Sequence, residues 1–242
     1  MQKFGIYFQC YKNPYATYKA LESARCFYPT CTIILLSDNG YNYSKMADFF
    51  NCIYIHSEYN LPFIIDLDDK YIKNSNNLLK RFYDAFLLIK EDYIMFLEDD
   101  VSINKKITDT FKYDLNGYCP NNLSFVNIEK IKEKYKFFNE KNYFTGHGGS
   151  VFNKNTLLKC LKNQEIIDDI LLNWKKYNFP SNICQDFFLS VILIFNNCTI
   201  GPYEGHKDFG FYKNDNISVQ HQYKLFYNVE LPTEIKKLVY IF

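Results

Sequence analysis

The chain has 242 residues, which is enough for one large α/β domain with an ordinary core, and it is 48% apolar and 23% charged. Its formal net charge is +1 and it has no dense block of Lys and Arg, so the electrostatic footprint of a nucleic-acid-binding protein is missing. The first residues do not match the pattern of a signal peptide, and no apolar stretch reaches the roughly 18 residues that cross a bilayer. We therefore expect a cytoplasmic protein with no transmembrane segment and no nucleic-acid partner.

The first half of the chain alternates strand and helix patterns in the manner of a parallel βαβ sheet. Short apolar runs predict strands at residues 3–10, 32–36, 52–55 and 93–97. Apolar residues at helical spacing predict the intervening helices at residues 14–27, 44–50 and 76–90. Asn13 is the predicted N-cap of the first helix, with Pro14 in the first helical position.

The second half of the chain is less regular. Its patterns predict a strand around residues 123–128, a Gly-rich segment at 146–149, and helices near 156–174 and 185–195. No linker separates the two halves, so we predict one α/β domain over residues 1–242.

Three consecutive carboxylates, Glu98, Asp99 and Asp100, follow the near-continuous apolar strand at residues 93–97. Burial of these groups without partners would cost several kcal/mol, so a cation should lie beside them. Ligands of open α/β sheets bind at the carboxyl ends of the strands, and strand alternation aims Glu98 and Asp100 to the same side. Mg²⁺ and Mn²⁺ prefer carboxylates and bring phosphate oxygens with them, which favours a metal site over a solvated acidic turn.

The segment from Tyr93 to Val101 resembles the apolar strand and acidic motif of GT-A glycosyltransferases, usually written Asp-x-Asp, with Glu98 in the first position here. The resemblance implies that Asp100 chelates Mn²⁺ or Mg²⁺, with Glu98 as a second ligand. It also implies that Glu98 and Asp99 contact the donor side.

This resemblance further implies a GT-A fold, with a mixed, mostly parallel central sheet flanked by helices. Residues 1–103 would form the half that binds the nucleotide sugar, and residues 104–242 the half that binds the acceptor. The implied reaction moves a sugar from a nucleotide diphosphate sugar, with a UDP-sugar favoured, to a hydroxyl of a glycan, a protein or a small molecule.

Residues that follow the first two strands resemble the places where this family contacts the nucleotide. Gln9 and Cys10 end the first strand, and Asp38 lies in a turn-prone segment after the second. Arg81, or its neighbour Lys80, would meet the nucleotide or its phosphates from the helix ahead of the acidic strand. A turn residue at Asp38 and an ordinary exposed helical charge at Arg81 are the alternatives.

The segment at residues 145–152 resembles the Gly-rich acceptor-side segment of the same enzymes. Gly148 and Gly149 would let the backbone approach a sugar closely, because glycine has no Cβ, and His147 would donate a hydrogen bond to the substrate. A plain turn between strands is the alternative.

Two further residues complete the predicted site. Asp186 opens the helix at residues 185–195 and resembles the general base of inverting GT-A enzymes; a favourable contact with the helix dipole is the alternative. His221 resembles the histidine that these enzymes supply as a metal ligand near the C-terminus, and we prefer it to His206. A neutral imidazole suits Mn²⁺ better than Mg²⁺, whereas a plain surface histidine would bind neither.

Two other functions remain open. Residues 63–69 also resemble the motif of haloacid dehalogenase phosphatases, with Asp66 as nucleophile and Asp68 as general acid. That motif lacks the Thr or Val of the family, because Lys70 stands there, so an acidic loop is the preferred interpretation. A catalytically silent sugar-binding domain would keep the fold without the chemistry.

Overall fold

The computed structural model describes residues 2–58, 65–66, 69–118, 121–122, 126–138, 143–144, 148–179, 182–183, 185–207, 212–221 and 223–240. Side chains are described in these ranges except at residues 65–66, 69–74, 121–122, 143–144, 182–183 and 186. None of the helices in these ranges combines the length and the apolar character that crossing a bilayer requires.

Fourteen strands lie in the described ranges. They are β1 (Phe4–Cys10), β2 (Ile33–Asp38), β3 (Ile53–Ser57), β4 (Ile65–Asp66), β5 (Tyr93–Glu98), β6 (Ser102–Ile103), β7 (Leu115–Asn116), β8 (Asn121–Asn122), β9 (Tyr143–Phe144), β10 (Val151–Asn153), β11 (Asn182–Ile183), β12 (Ile200–Gly201), β13 (His206–Lys207) and β14 (Val219–Gln220). The helices are α1 (Pro14–Phe27), α2 (Ser44–Phe49), α3 (Asp69–Leu87), α4 (Ile128–Lys134), α5 (Lys154–Leu161), α6 (Gln164–Leu172), α7 (Gln185–Phe195) and α8 (Thr233–Lys236).

A seven-stranded sheet in the order β12-β7-β10-β5-β1-β2-β3 forms the centre of the molecule. Strands β5, β1, β2 and β3 run parallel, whereas β10 is antiparallel to both β5 and β7. The sheet therefore includes strands from both predicted halves of the chain. This mixed, mostly parallel sheet flanked by helices confirms the predicted fold class.

Strand β5 is buried on both of its faces, as its apolar run predicts. Ile94 and Phe96 pack in one core cluster with residues of α3, α5, α6 and α7. Met95 and Leu97 pack in the other cluster, with residues of α1 and α2. Full burial stabilises each such side chain by about 1.5–3 kcal/mol, so polar chemistry is confined to the end of the strand.

Three predicted elements differ from the structure. The helix predicted at 156–174 is two helices, because the Asn163 side chain accepts a hydrogen bond from Ile166 N and starts α6. The strand predicted at 123–128 is wrong at its end, where Asn127 caps α4 in the same way; residues 123–125 lie outside the described part. Helix α3 begins at Asp69, earlier than the predicted residue 76.

Candidate functional site

Glu98, Asp100 and His221 come together at the carboxyl end of β5. One potential ligand atom from each residue lies within 4.8 Å of the other two. His221 Nε2 is 3.5 Å from Glu98 Oε2 and 3.5 Å from Asp100 Oδ1. Only 3% of His221 and 7% of Asp100 is exposed. The fold thus brings together the three residues that the sequence predicts as metal ligands.

A small sheet with the order β13-β14-β6 places His221 beside the acidic residues. Strand β6 follows Asp100 closely in the chain, and β14 pairs with it antiparallel through Val219 and Ile103. His221 comes directly after β14, and its backbone N–H donates to Lys207 O at 3.0 Å. Strand pairing therefore fixes a contact between residues that are far apart in the sequence.

The electrostatics of this cluster favour a cation. Burial and then the Glu98 carboxylate raise the pKa of Asp100 to about 6, against the opposite effects of His221 and Lys224. Asp100 Oδ1 is buried and makes no hydrogen bond to any described residue, which is costly for a carboxylate. Two carboxylates and one imidazole are ligands that Mn²⁺ accepts well, so the residues present fit the predicted ion.

Asp99 is bound to other parts of the protein. Its Oδ2 accepts a hydrogen bond from Asn13 Nδ2 at 2.9 Å, and its Oδ1 accepts one from the Tyr227 hydroxyl. Burial raises the pKa of Asp99 to about 6 even though both hydrogen bonds act in the opposite direction. Asn13 is the residue before α1, as predicted, but its side chain makes no cap hydrogen bond to the described helix. The donor contact predicted for Asp99 stays a prediction.

Gln9, Asp38 and Arg81 form a buried network near the cluster of Glu98, Asp100 and His221, which we call the acidic cluster. Arg81 Nη1 lies 2.5 Å from Asp38 Oδ1 in an ion pair, and Arg81 Nη2 donates to Gln9 Oε1 at 3.3 Å. Gln9 Nε2 donates to Asp38 Oδ2, also at 3.3 Å. In the sheet, Gln9 of β1 pairs with Glu98 of β5. Three of the predicted donor-binding residues therefore form one network, and Gln9 joins it to the strand of the predicted metal ligand Glu98.

Burial distinguishes Arg81 from its neighbour Lys80. The Arg81 side chain is only 11% exposed, so it is not an ordinary exposed helical charge, whereas the Lys80 side chain is 74% exposed and pairs with Asp84 on the helix surface.

Cys10 lies on the opposite face of β1 from Gln9. It is 3% exposed, packs in the core cluster of α1 and α2, and lies 3.5 Å from Leu36 O, to which its thiol donates. Burial raises the pKa of this thiol well above its ordinary value. Strand alternation explains the separation, and any donor contact at Cys10 would come from its backbone.

Gly148 and Gly149 lie against the acidic cluster. A Cβ on Gly148 would be 2.5 Å from Val101 Cγ2 and 3.0 Å from Glu98 Oε2. Gly149 has φ +98°, a left-handed conformation that favours glycine. Their predicted contact with an acceptor stays a prediction, and His147 lies outside the described residues.

His206 contacts this glycine pair and does not belong to the cluster of Glu98, Asp100 and His221. Its Nδ1 accepts a hydrogen bond from Tyr118 N at 2.9 Å, so Nε2 carries the proton and donates to Gly148 O at 3.0 Å. Both ring nitrogens of His206 thus make hydrogen bonds within the protein, and the choice of His221 as the metal ligand stays a prediction.

Asp186 is the second residue of α7, close to the predicted start of that helix. Its side chain lies outside the described part of the structure. The helix begins after β11, which pairs antiparallel with β4. The role of Asp186 as general base stays a prediction.

The pairing of β4 with β11 does not favour the phosphatase hypothesis. Asp66 belongs to β4, which pairs with β11 and is not a strand of the seven-stranded central sheet. Asp66 also does not lie in the predicted acidic loop, and Asp68 lies outside the described residues.

Sequence reasoning missed Lys224, a cation beside the acidic cluster. Lys224 Nζ is 3.8 Å from Asp100 Oδ2, and its side chain is 44% exposed. Its proximity to His221 in the chain was the available signal, because a residue that follows a metal ligand by three positions lies near the same site.

No family model and no curated protein matches this chain. Among solved structures, it is similar to the galactosyltransferase LgtC in complex with donor and acceptor sugar analogs, with a TM-score of 0.52 and 13% identity over 96% of this chain and 99% of LgtC. An active-site mutant of LgtC gives a TM-score of 0.51 and 16% identity over 89% of this chain and 86% of the mutant. The glycosyltransferase GlyE from Streptococcus pneumoniae TIGR4 gives a TM-score of 0.54 and 11% identity over 98% of this chain and 59% of GlyE. The chain has the fold of these GT-A glycosyltransferases.

Proposed function

We propose that this protein is a metal-dependent glycosyltransferase that moves a sugar from a nucleotide diphosphate sugar, with a UDP-sugar favoured, to an acceptor hydroxyl. The observation that carries the proposal is the cluster of Glu98, Asp100 and His221 at the carboxyl end of β5. A fold hosts many functions, so the cluster matters more than the fold. LgtC, which has the same fold, is known in complex with donor and acceptor sugar analogs.

Glu98, Asp100 and His221 would hold Mn²⁺, or less favourably Mg²⁺. When bound, the ion supplies positive charge that stabilises the departing diphosphate. Without a cation, Glu98 and Asp100 would repel the phosphates. Lys224 supports the same assignment, because its amine lies 3.8 Å from Asp100 Oδ2 on a side chain that is 44% exposed, so it would bind a phosphate oxygen.

The network of Gln9, Asp38 and Arg81 would bind the nucleotide end of the donor. Arg81 and Gln9 hold the Asp38 carboxylate in place, and this carboxylate would contact the base. Asp99 would contact the ribose, as the acidic motif implies. Because Gln9 pairs with Glu98 in the sheet, the nucleotide and its diphosphate would span adjacent strands.

The acceptor, a glycan, a protein or a small molecule, would bind on the side of His147, Gly148 and Gly149. Its hydroxyl would attack the anomeric carbon opposite the diphosphate, so that the new C–O bond forms as the bond to the diphosphate breaks. Asp186 would accept the hydroxyl proton in that step, which gives inversion of configuration.

The first test incubates the protein with a panel of nucleotide sugars and Mn²⁺ and measures what is released. We expect slow release of nucleoside diphosphate. Asp100→Asn should weaken Mn²⁺-dependent nucleotide binding at least about tenfold in calorimetry, because it removes a charged metal ligand. Asp84→Asn, on the exposed face of α3, is the matched control and should bind as the wild type does. Release of inorganic phosphate would support the phosphatase instead, and no release would support a silent sugar-binding domain.

The second test separates binding from chemistry at Asp186. Asp186→Asn keeps the size of the side chain but removes the proton acceptor, so turnover should fall about a hundredfold or more while donor affinity is retained. Asp168→Asn, which changes an exposed acid of α6, is the control. Near wild-type turnover in Asp186→Asn would mean that Asp186 has no catalytic role and only opens the helix. Lost donor binding would mean that its role is structural.

A further inference from the structure

Residues 223–227, which we call the C-terminal turn, lie directly on the acidic residues that end β5. The turn contains a short 3₁₀ helix at Lys224–Phe226. At its start, Tyr223 N donates to Asp100 O at 2.7 Å. At its end, the Tyr227 hydroxyl donates to Asp99 Oδ1. The turn is therefore attached to the acidic segment at both of its ends.

Asp99 links this turn to the start of α1. Its second oxygen accepts the hydrogen bond from Asn13 Nδ2 at 2.9 Å, so one carboxylate joins three parts of the chain. An aromatic contact strengthens the same junction, because Phe226 packs edge-on against Tyr15 of α1 with ring centroids 5.4 Å apart.

Lys224 lies between the two points of attachment, 3.8 Å from Asp100. A lysine side chain is flexible, so its amine meets a ligand reliably only if the backbone below it is fixed. The backbone of His221 is held separately, by the bond from its N–H to Lys207 O and by the pairing of β14. The position of Lys224 should therefore depend on the C-terminal turn more than the metal ligands do.

We infer that Tyr227 is a positioning residue whose hydrogen bond to Asp99 holds the C-terminal turn on the acidic segment and so places Lys224 against the diphosphate of the donor. The inference rests on the proposed function. It also gives Asp99 a role within the protein itself, as the anchor of the turn. Loss of the Tyr227 hydroxyl should free the turn without moving Glu98, Asp100 or His221.

The experiment compares Tyr227→Phe with Tyr212→Phe, which changes a tyrosine that is 87% exposed. Amide hydrogen exchange of the C-terminal turn is measured first, without any ligand, and should become about tenfold faster only in Tyr227→Phe, because the lost bond was to a charged group. The affinities for UDP and for GDP, each with Mn²⁺, are then measured. They should fall about tenfold for whichever nucleotide the wild type binds. Mn²⁺ affinity alone should stay within about twofold, which also shows that the variant is folded.

A double-mutant cycle with Lys224→Met decides whether Tyr227 acts through Lys224. If it does, Tyr227→Phe has almost no further effect on nucleotide affinity once Lys224 is changed. Losses that multiply in the double variant would mean that Tyr227 contacts the nucleotide itself, and they would overturn the inference.

The outcomes separate the inference from the proposed function. A wild type that binds neither UDP nor GDP with Mn²⁺ and releases no nucleoside diphosphate from the donor panel would overturn the proposed function, while faster exchange in Tyr227→Phe would still support the anchoring of the turn. Unchanged exchange and unchanged nucleotide affinity in Tyr227→Phe would overturn the inference and leave the proposed function intact.

Discussion

Gly148 occupies a position where the site leaves no space for a side chain. A Cβ there would meet Val101 Cγ2 at 2.5 Å, Glu98 Oε2 at 3.0 Å and His221 Cδ2 at 3.1 Å, so two of the three neighbours are proposed metal ligands. His206 fixes the Gly148 carbonyl from the other side. The glycine therefore permits the backbone to pack directly on the ligands and restrict their movement.

Gly148→Ala should weaken Mn²⁺ binding about tenfold or more, because the added methyl displaces a ligand by a few tenths of an ångström. Gly5→Ala is a matched control: its Cβ would meet Ile89 Cγ2 at 2.5 Å, at the opposite end of the sheet. Overpacking typically costs about 1–3 kcal/mol of stability, so both variants should have a lower Tm than the wild type. Calorimetry with Mn²⁺ distinguishes them, and equal Mn²⁺ affinity in the two would contradict the role of Gly148.

The role of a residue could be predicted from the sequence where its near neighbours in the chain indicate that role. The role could not be predicted where it depends on a partner that is distant in the chain. The carboxylates of Glu98 and Asp100 end an apolar strand, which is a local signal. Asn13 also gives a local signal, that of a helix cap, yet its amide binds Asp99, 86 positions away. Nothing adjacent to Tyr227 in the sequence indicates that its hydroxyl meets the acidic segment.

At the scale of elements, long buried strands could be predicted and short ones could not. Strands β1, β2 and β5 are continuous apolar runs, because helices cover both of their faces. Strands β6 and β14 have two residues each and carry no periodic pattern, although their pairing places His221 beside Asp100. A two-residue strand depends on tertiary contacts for its existence, so local propensity does not reveal it.

Helix ends show the same limit. The predicted helix at 156–174 has continuous apolar periodicity, and only the capping hydrogen bond of Asn163 divides it into α5 and α6. Asn in the middle of a helical pattern is compatible with both structures, because its side chain can face solvent or cap a new helix. In the structure Asn163 caps a new helix, and that helix, α6, packs with α7 in the core cluster.

At the scale of the whole molecule, the candidate site draws on residues from both ends of the chain. Gln9 and Asp38 come from the first strands, whereas His221 and Tyr227 come from the last fifth of the sequence. An unfolded chain would hold these groups far apart, so a ligand of the site binds the folded state alone. Metal binding and global stability should therefore be linked.

Without metal, we expect the free energy of unfolding to decrease as the pH rises, because of Asp100. The pKa of Asp100 is about 6 in the folded protein and about 3.9 for an unfolded Asp, so the folded state binds this proton more tightly. The stabilisation is present below about pH 4 and is lost as the pH rises through about 6. In EDTA, we expect the free energy of unfolding to decrease by about 2 kcal/mol across this range through Asp100.

Mn²⁺ should reverse this loss, because the ion takes the place of the proton on Asp100. At a concentration of about a hundred times Kd, binding adds about 2.7 kcal/mol, which corresponds to a rise in Tm of about 5–10 °C at pH 7.5. At pH 5 the rise should be much smaller, since protons compete for the site. Asp100→Asn removes both the repulsion and the ligand, so in EDTA at pH 7.5 it should melt above the wild type and show almost no response to Mn²⁺. Thermal melts of both proteins at the two pH values check this, and a full Mn²⁺ response in Asp100→Asn would mean that the ion stabilises the protein from another site.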